Sequence, residues 1–144
     1  MNIRLATLPH AAALAAIEQT QPQAAGWGKA GFASELAQAC SHIWCAERGG
    51  ELVGFVAVRA VADSAEILNV AVHAHHTGRG VGSNLLNYVL QELARQGVRQ
   101  VSLEVAQDNA AALALYTRAG FVRCSVRKDF YAPGRDGLIL GKEL

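Results

Sequence analysis

The chain of 144 residues carries thirteen Lys and Arg against twelve Asp and Glu, a net charge of +1, and is 51% hydrophobic and 17% charged. A chain of this length buries about two thirds of the surface its unfolded form exposes, so one domain over 1–144 needs no disulfide or metal staple. The composition excludes intrinsic disorder, and the absence of a basic excess argues against a nucleic-acid binder that works by neutralising phosphates.

Asn2 to Thr7 alternates as a strand, and Leu8 to Gln19, with Pro9 suited to a first helical turn, reads as a helix burying Leu14 and Ile17. A loop around Trp27 and Gly28 leads to a second helix over Phe32 to Cys40. His42 to Glu47 and Leu52 to Ala60, joined through Arg48, Gly49 and Gly50, have the pattern of a β-hairpin, and Glu66 to Val72 continues the meander. After the polar stretch His73 to Thr77 come Gly78, Arg79, Gly80, Val81 and Gly82. A helix follows with Leu85, Leu86, Val89, Leu90 and Leu93 on its apolar face, and Gly97 ends it. Gln100 to Ala106 is a strand, Asn109 to Ala119 a helix closed by Gly120, and Phe121 to Lys128 and Leu138 to Lys142 are the last strands. The order predicts a mixed α/β fold: one mixed sheet of about six or seven strands with about four helices over its two faces.

Three cysteines, Cys40, Cys45 and Cys124, form neither an even set nor a CxxC pair, and read as reduced, core-filling thiols of a cytoplasmic protein. Pro9 and His10 precede the apolar run Ala11 to Ile17 and Glu18 closes it, so no secretory signal is expected. No stretch approaches the ~20 apolar residues of a membrane span, and a membrane is not an expected partner.

Three features carry chemistry. The glycine cluster offers backbone N–H groups and a positive helix end to a phosphate, and without Cβ atoms the loop can approach a ligand closely. The competing reading is a plain strand-to-helix connection. A dinucleotide fingerprint through Gly78, Gly80 and Ser83, with Glu104 as ribose acid, is opposed by the polar loop before the glycines and by the lack of repeated βαβ halves. Glu104 is the second feature: alternation puts Val101, Leu103 and Val105 on one strand face and Ser102 and Glu104 on the other. Alone it would read as a solvated carboxylate, but its strand follows the candidate phosphate helix. The third is the pair Asn109 and Tyr116, two helical turns apart on one face, against the bland reading of a helix cap and a packed ring. His73, His75 and His76 suggest a metal only weakly, because no nearby Cys or carboxylate completes a ligand set, so no metal is expected.

From Glu66 to Phe121 the chain resembles the GNAT superfamily of N-acetyltransferases. The resemblance rests on the strand Ile67 to Val72, the loop Gly78 to Gly82, the strand Leu103, Glu104, Val105, the run Asn109 to Tyr116, and Gly120 with Phe121. The Leu-Glu-Val strand, the Asn-to-Tyr run, Trp27 and the later Asp129, Phe130, Tyr131 point within it to the RimI branch. The resemblance implies that acetyl-CoA is the cosubstrate, its pantetheine arm bordering Val70, Ala71 and Val72 with Asn109 on the other side. It implies that Gly78, Arg79, Gly80, Val81, Gly82 and Ser83 hold the pyrophosphate, that Glu104 is the general base and that Tyr116 is the acid. The implied acceptor is the N-terminal alanine amine of a ribosomal protein, bound between the loop near Trp27 and the segment near Tyr131. The chain departs from the family at Thr77, where Gln or Arg is usual, and at Arg135 to Leu138, which replace an acidic pattern. Two rivals stand beside this reading: a GNAT enzyme for a small amine, polyamine or lysine side chain, and a non-catalytic acetyl-CoA sensor.

Overall fold

The computed structural model describes residues 1–144. Seven strands, β1 (Asn2–Leu5), β2 (Ser41–Arg48), β3 (Glu51–Val61), β4 (Ser64–Val72), β5 (Gln100–Ala106), β6 (Val122–Ala132) and β7 (Arg135–Glu143), form one sheet in the order β1-β2-β3-β4-β5-β7-β6. Four helices accompany them: α1 (Ala11–Gln19), α2 (Gly28–Leu36), α3 (Val81–Arg95) and α4 (Ala110–Arg118). All neighbouring strands run antiparallel except β4 and β5. That parallel pair is joined through α3, the crossover that two parallel strands require.

Helices cover both faces. On one side Leu14, Ile17 and Phe32 of α1 and α2 pack on Ile43, Cys45, Phe55 and Ala57. On the other, Leu85, Leu86, Val89, Leu90 and Leu93 of α3 meet Trp44, Val56, Val58, Val101 and Leu103. β3 is sandwiched between these layers, which is why Val53 to Val58 is buried without a break while β5 alternates. Val101, Leu103 and Val105 are buried and Ser102 is exposed, as the pattern predicts.

Several boundaries differ from those read in the sequence. Leu8 to His10 is a short 3-10 turn before α1. The second helix begins at Gly28, ahead of the expected Phe32, and ends at Leu36. Its early start has a cause distant in sequence: the Glu18 carboxylate accepts from Trp27 N and Gly28 N, both at 2.9 Å. These are amides that a helix start leaves without intrahelical partners, and a negative charge there suits the helix dipole. The last two strands are longer than expected and meet at Pro133–Gly134. Asp129, at a positive φ of 55°, marks the irregularity in β6. Its Oδ1 accepts from Gly134 N at 2.7 Å, and its own N–H donates to Asp136 Oδ1 at 2.9 Å, which holds the hairpin together. Of the cysteines only Cys45 is buried. Cys124 is exposed because β6 forms the outer edge of the sheet and no helix covers it, so the core-filling expectation fails there.

Candidate active site

β4 and β5 pair only from Ser64–Gln100 to Ile67–Leu103, although β4 runs on to Val72 and β5 to Ala106. Beyond Ile67 the strands diverge and the sheet opens. A bulge in β4 lies at the divergence: Ala57 pairs with Asn69 and Val58 with Ile67, leaving Leu68 unpaired. Backbone groups of a strand alternate in direction. His73 N donates to Val53 O on the β3 side, whereas the Val72 carbonyl accepts from Gln21 Nε2 at 2.8 Å on the open side. Val70 and Val72 therefore turn backbone groups into the gap, and Ala71 sends its methyl into the core beneath α1.

The gap holds a cavity of 460 Å³ lined by Ile67 to Val70, Leu103 to Ala106, Asn109, Tyr116, Tyr131 and Arg135. A neighbouring cavity of 300 Å³ shares Val70, Asn109 and Tyr116 and reaches Val72 and Thr77. The structure thus brings Glu104, Tyr116, Asn109 and the open half of β4 together.

Glu104 is half-buried, with Oε1 3.3 Å from Arg127 Nε. Tyr116 is buried, its ring edge-on to Phe121 at 5.7 Å, and burial, reinforced by nearby Tyr131, pushes its phenol well above the ordinary range. It therefore keeps its proton at neutral pH. Asn109 caps α4, its Oδ1 accepting from Ala112 N at 3.3 Å, so the capping reading of the sequence is realised while the residue also lines both cavities.

At the mouth, Gly80 caps the start of α3 at φ +78° and Gly78 stands at φ +73°. No side chain caps this start and no acid sits in its first turn, so the amides of Val81, Gly82 and Ser83 keep their donors free. A Cβ on Gly82 would stand in ordinary contact with Val72 and Leu115 at 3.5 and 3.7 Å, so the helix start lies directly beside the open end of β4. Such a cradle fits an anionic phosphate. Thr77 is exposed, its Oγ1 donating to Ala74 O at 3.1 Å, and Arg79 is exposed as well. Ala74 to His76 is a 3-10 turn in which His73 Nδ1 accepts from His75 N. Burial, with help from Arg79 and Arg48, lowers the pKa of His76.

Four participants were not read from the sequence. Glu18, buried at 4% exposure, also accepts from Asn69 Nδ2 at 2.8 Å, and Asn69 Oδ1 in turn accepts from Ala25 N at 3.3 Å. The acid thereby pins the 20–28 loop against β4. Arg135 spans the rim: Nε donates to Asp108 at 2.9 Å, Nη2 to Gln23 Oε1 at 2.7 Å, and its guanidinium lies 5.1 Å from the Tyr131 ring centre. Arg127 meets Glu104 as described. The only sequence signal was residue type, an acid amid apolar helix positions and arginines in a final hairpin.

A mixed sheet opened between two parallel strands, with a donor-rich helix start at one end of the opening and a carboxylate and a phenol inside it, is the architecture of an N-acetyltransferase. The chain belongs to the acetyltransferase (GNAT) family, whose profile matches residues 11–121. It is 34% identical over 111 residues to the [ribosomal protein bS18]-alanine N-acetyltransferase of Escherichia coli K12, covering 77% of this chain and 74% of that protein. It is 39% identical over 109 residues to the N-alpha-acetyltransferase RimI of Mycobacterium tuberculosis, covering 73% and 67%. The crystal structure of the ribosomal-protein-S18-alanine N-acetyltransferase from Escherichia coli superposes with a TM-score of 0.88 at 28% identity, over 99% of this chain and 92% of that one. No helix is long and apolar enough to cross a membrane.

Proposed function

We propose that the chain, as a single domain over 1–144 and in the cytoplasm, transfers the acetyl group of acetyl-CoA to the N-terminal α-amine of an alanine-starting ribosomal protein. The observation that carries this reading is the 460 Å³ cavity shared by Glu104, Tyr116 and the open backbone of β4. The relatives' named activity supports the choice of acceptor.

In this reading the pyrophosphate lies on the free amides from Gly78 to Ser83, and the pantetheine arm passes Val70, Val72 and Asn109. The acceptor enters between the Trp27 loop and Tyr131. Its ammonium loses a proton to Glu104 through water, and the freed nitrogen lone pair attacks the thioester carbon. A C–N bond forms, negative charge passes to the carbonyl oxygen, and a backbone N–H near Val72 stabilises it. The C–S bond then breaks, the thiolate takes the Tyr116 proton, and the second proton of the attacking nitrogen passes through water to the tyrosinate, leaving a neutral amide and a restored phenol. Burial keeps Tyr116 protonated until the thiolate forms beside it, so the proton is in place when the leaving group needs it. At pH 7.4 roughly a quarter of α-amines but only about one lysine amine in a thousand is neutral, so a carboxylate base suits an N-terminus.

The test is competition, read by mass spectrometry, between an Ala-starting ribosomal-protein peptide and the same peptide with a blocked N-terminus and an internal lysine. Acetylation of the free α-amine alone is expected. Modification of the lysine peptide alone rejects the acceptor, and no turnover of any amine favours the sensor.

A further inference from the structure

Glu104 and Arg127 lie on strands that do not touch, because β7 runs between β5 and β6. Glu104 pairs across to Ile139, and Arg127 pairs with Gly137. Paired residues of a sheet share a face, and residues two apart on one strand do as well. Glu104, Ile139, Gly137 and Arg127 therefore all present one face. An ordinary side chain at 137 would stand between the acid and the arginine: a Cβ built there lies 3.3 Å from Glu104 Oε2 and 3.3 Å from Phe130. With only hydrogen in that place, the carboxylate leans over β7 and its Oε1 comes 3.3 Å from Arg127 Nε.

The arginine is itself held. Every residue of β6 is exposed, and an arginine on such an edge would normally sample many rotamers. Here the guanidinium also lies 5.1 Å from the centre of the Phe130 ring, a second contact that restricts it.

We propose that Arg127 is a positioning residue for Glu104, acting through the gap that Gly137 leaves in β7. It engages Oε1, fixes the rotamer of the carboxylate and leaves Oε2 to receive the acceptor's proton. The inference rests on the reading of Glu104 as general base.

The experiment measures kcat and KM for acetyl-CoA and an Ala-starting peptide in Arg127→Met, Arg127→Lys and Gly137→Ala, with Arg127→Met repeated in Glu104→Gln. Loss of Arg127 should lower kcat by roughly ten- to a hundredfold, the scale of a base displaced by about an ångström, and leave the KM for acetyl-CoA unchanged. Arg127→Lys should recover part of the rate, and Gly137→Ala should lower kcat like Arg127→Met by pushing the carboxylate aside. Lys128→Met, which removes a neighbouring charge from the same strand, should keep the wild-type rate. In the Glu104→Gln background Arg127→Met should cost nothing further. A wild-type kcat in Arg127→Met, or an equal loss with Glu104 absent, overturns the positioning role while Glu104 can still be the base. A wild-type rate in Glu104→Gln removes the base and with it this role.

Discussion

Glu104 and Tyr116 differ in how far water reaches them, and the difference matches the two proton transfers proposed for them. The acid side chain is 21% exposed, open enough to pass a proton to solvent, while the phenol is shut away and stays protonated. Glu104→Gln and Tyr116→Phe keep shape and remove the titrating group. Each should lower kcat on the order of a hundredfold, with acetyl-CoA affinity in calorimetry close to wild type. Glu18 answers to a different test. Its two oxygens accept from two backbone amides and from Asn69, so in Glu18→Gln a new NH₂ group must face a donor. A loss of about 1–3 kcal/mol is expected in denaturant unfolding, together with a higher KM for the peptide as the 20–28 loop loosens. The strand face of Glu104 was legible in the sequence because alternation is local and places it opposite Val101, Leu103 and Val105, whereas its role as base came only from the family resemblance. Glu18 was not, since it sits at a helical position and its partners are amides and an amide side chain brought to it by the fold. Arg127 was hidden for a similar reason: its link to Glu104 depends on the register of three strands and on the missing side chain at Gly137.

At the scale of elements, α2 and the last hairpin show what pattern reading finds and misses. Phe32 correctly marks a buried helical face, but the helix is displaced toward Gly28 because α1 supplies its first-turn acceptor. The other end of α2 is tied to β3 by Glu35, whose two oxygens accept from Arg59 Nε and Nη2 at 2.7 and 2.8 Å. That guanidinium holds the Glu35 carboxyl below its ordinary value of 4.5. A carboxyl depressed on folding adds stability that is fully present above the unfolded pKa and is lost as pH falls through the folded one. Wild type should therefore lose stability below about pH 4.5, and Arg59→Met should show a flatter acid limb. At neutral pH that variant should be less stable by roughly 1 to 2 kcal/mol, between the worth of exposed and buried pairs. Urea unfolding at several pH values checks both statements, and parallel acid limbs would sink the assignment. Arg135 plays the comparable part at the rim, where it joins the turn before α4 to the 20–28 loop through Asp108 and Gln23. Arg135→Ala should raise the peptide KM several-fold with little change in kcat, since it touches the entrance and not Glu104 or Tyr116.

Considered whole, the sheet is two parts with a narrow seam. β1 to β4 form one antiparallel block and β5, β7 and β6 another, and between them only the register from Ser64 to Ile67 is paired. The hydrophobic layer under α3 reaches across this seam through Val56, Val58, Val101 and Leu103, so the blocks are held by packing on one face while the strand ends stand apart. A ligand whose arm lies along β4 and whose phosphates sit on the first turn of α3 would add contacts in the opening where strand pairing is missing. Binding to the folded state alone stabilises it by mass action, about 2.7 kcal/mol at a hundred times the dissociation constant. For a chain near this length each kcal/mol moves the melting midpoint by about 2–4 °C, so saturating coenzyme A should raise it by roughly 5 to 10 °C. Gly80→Asp separates the site from unspecific effects, because it places a carboxylate at the free amides and a side chain at φ +78°. That variant should start lower in Tm, through backbone strain, and gain little from coenzyme A. Glu104→Gln, which leaves the phosphate cradle intact, should gain as much as wild type. A calorimetric scan in which coenzyme A leaves the wild-type midpoint unmoved, or shifts Gly80→Asp equally, would place the cosubstrate somewhere other than between β4 and β5.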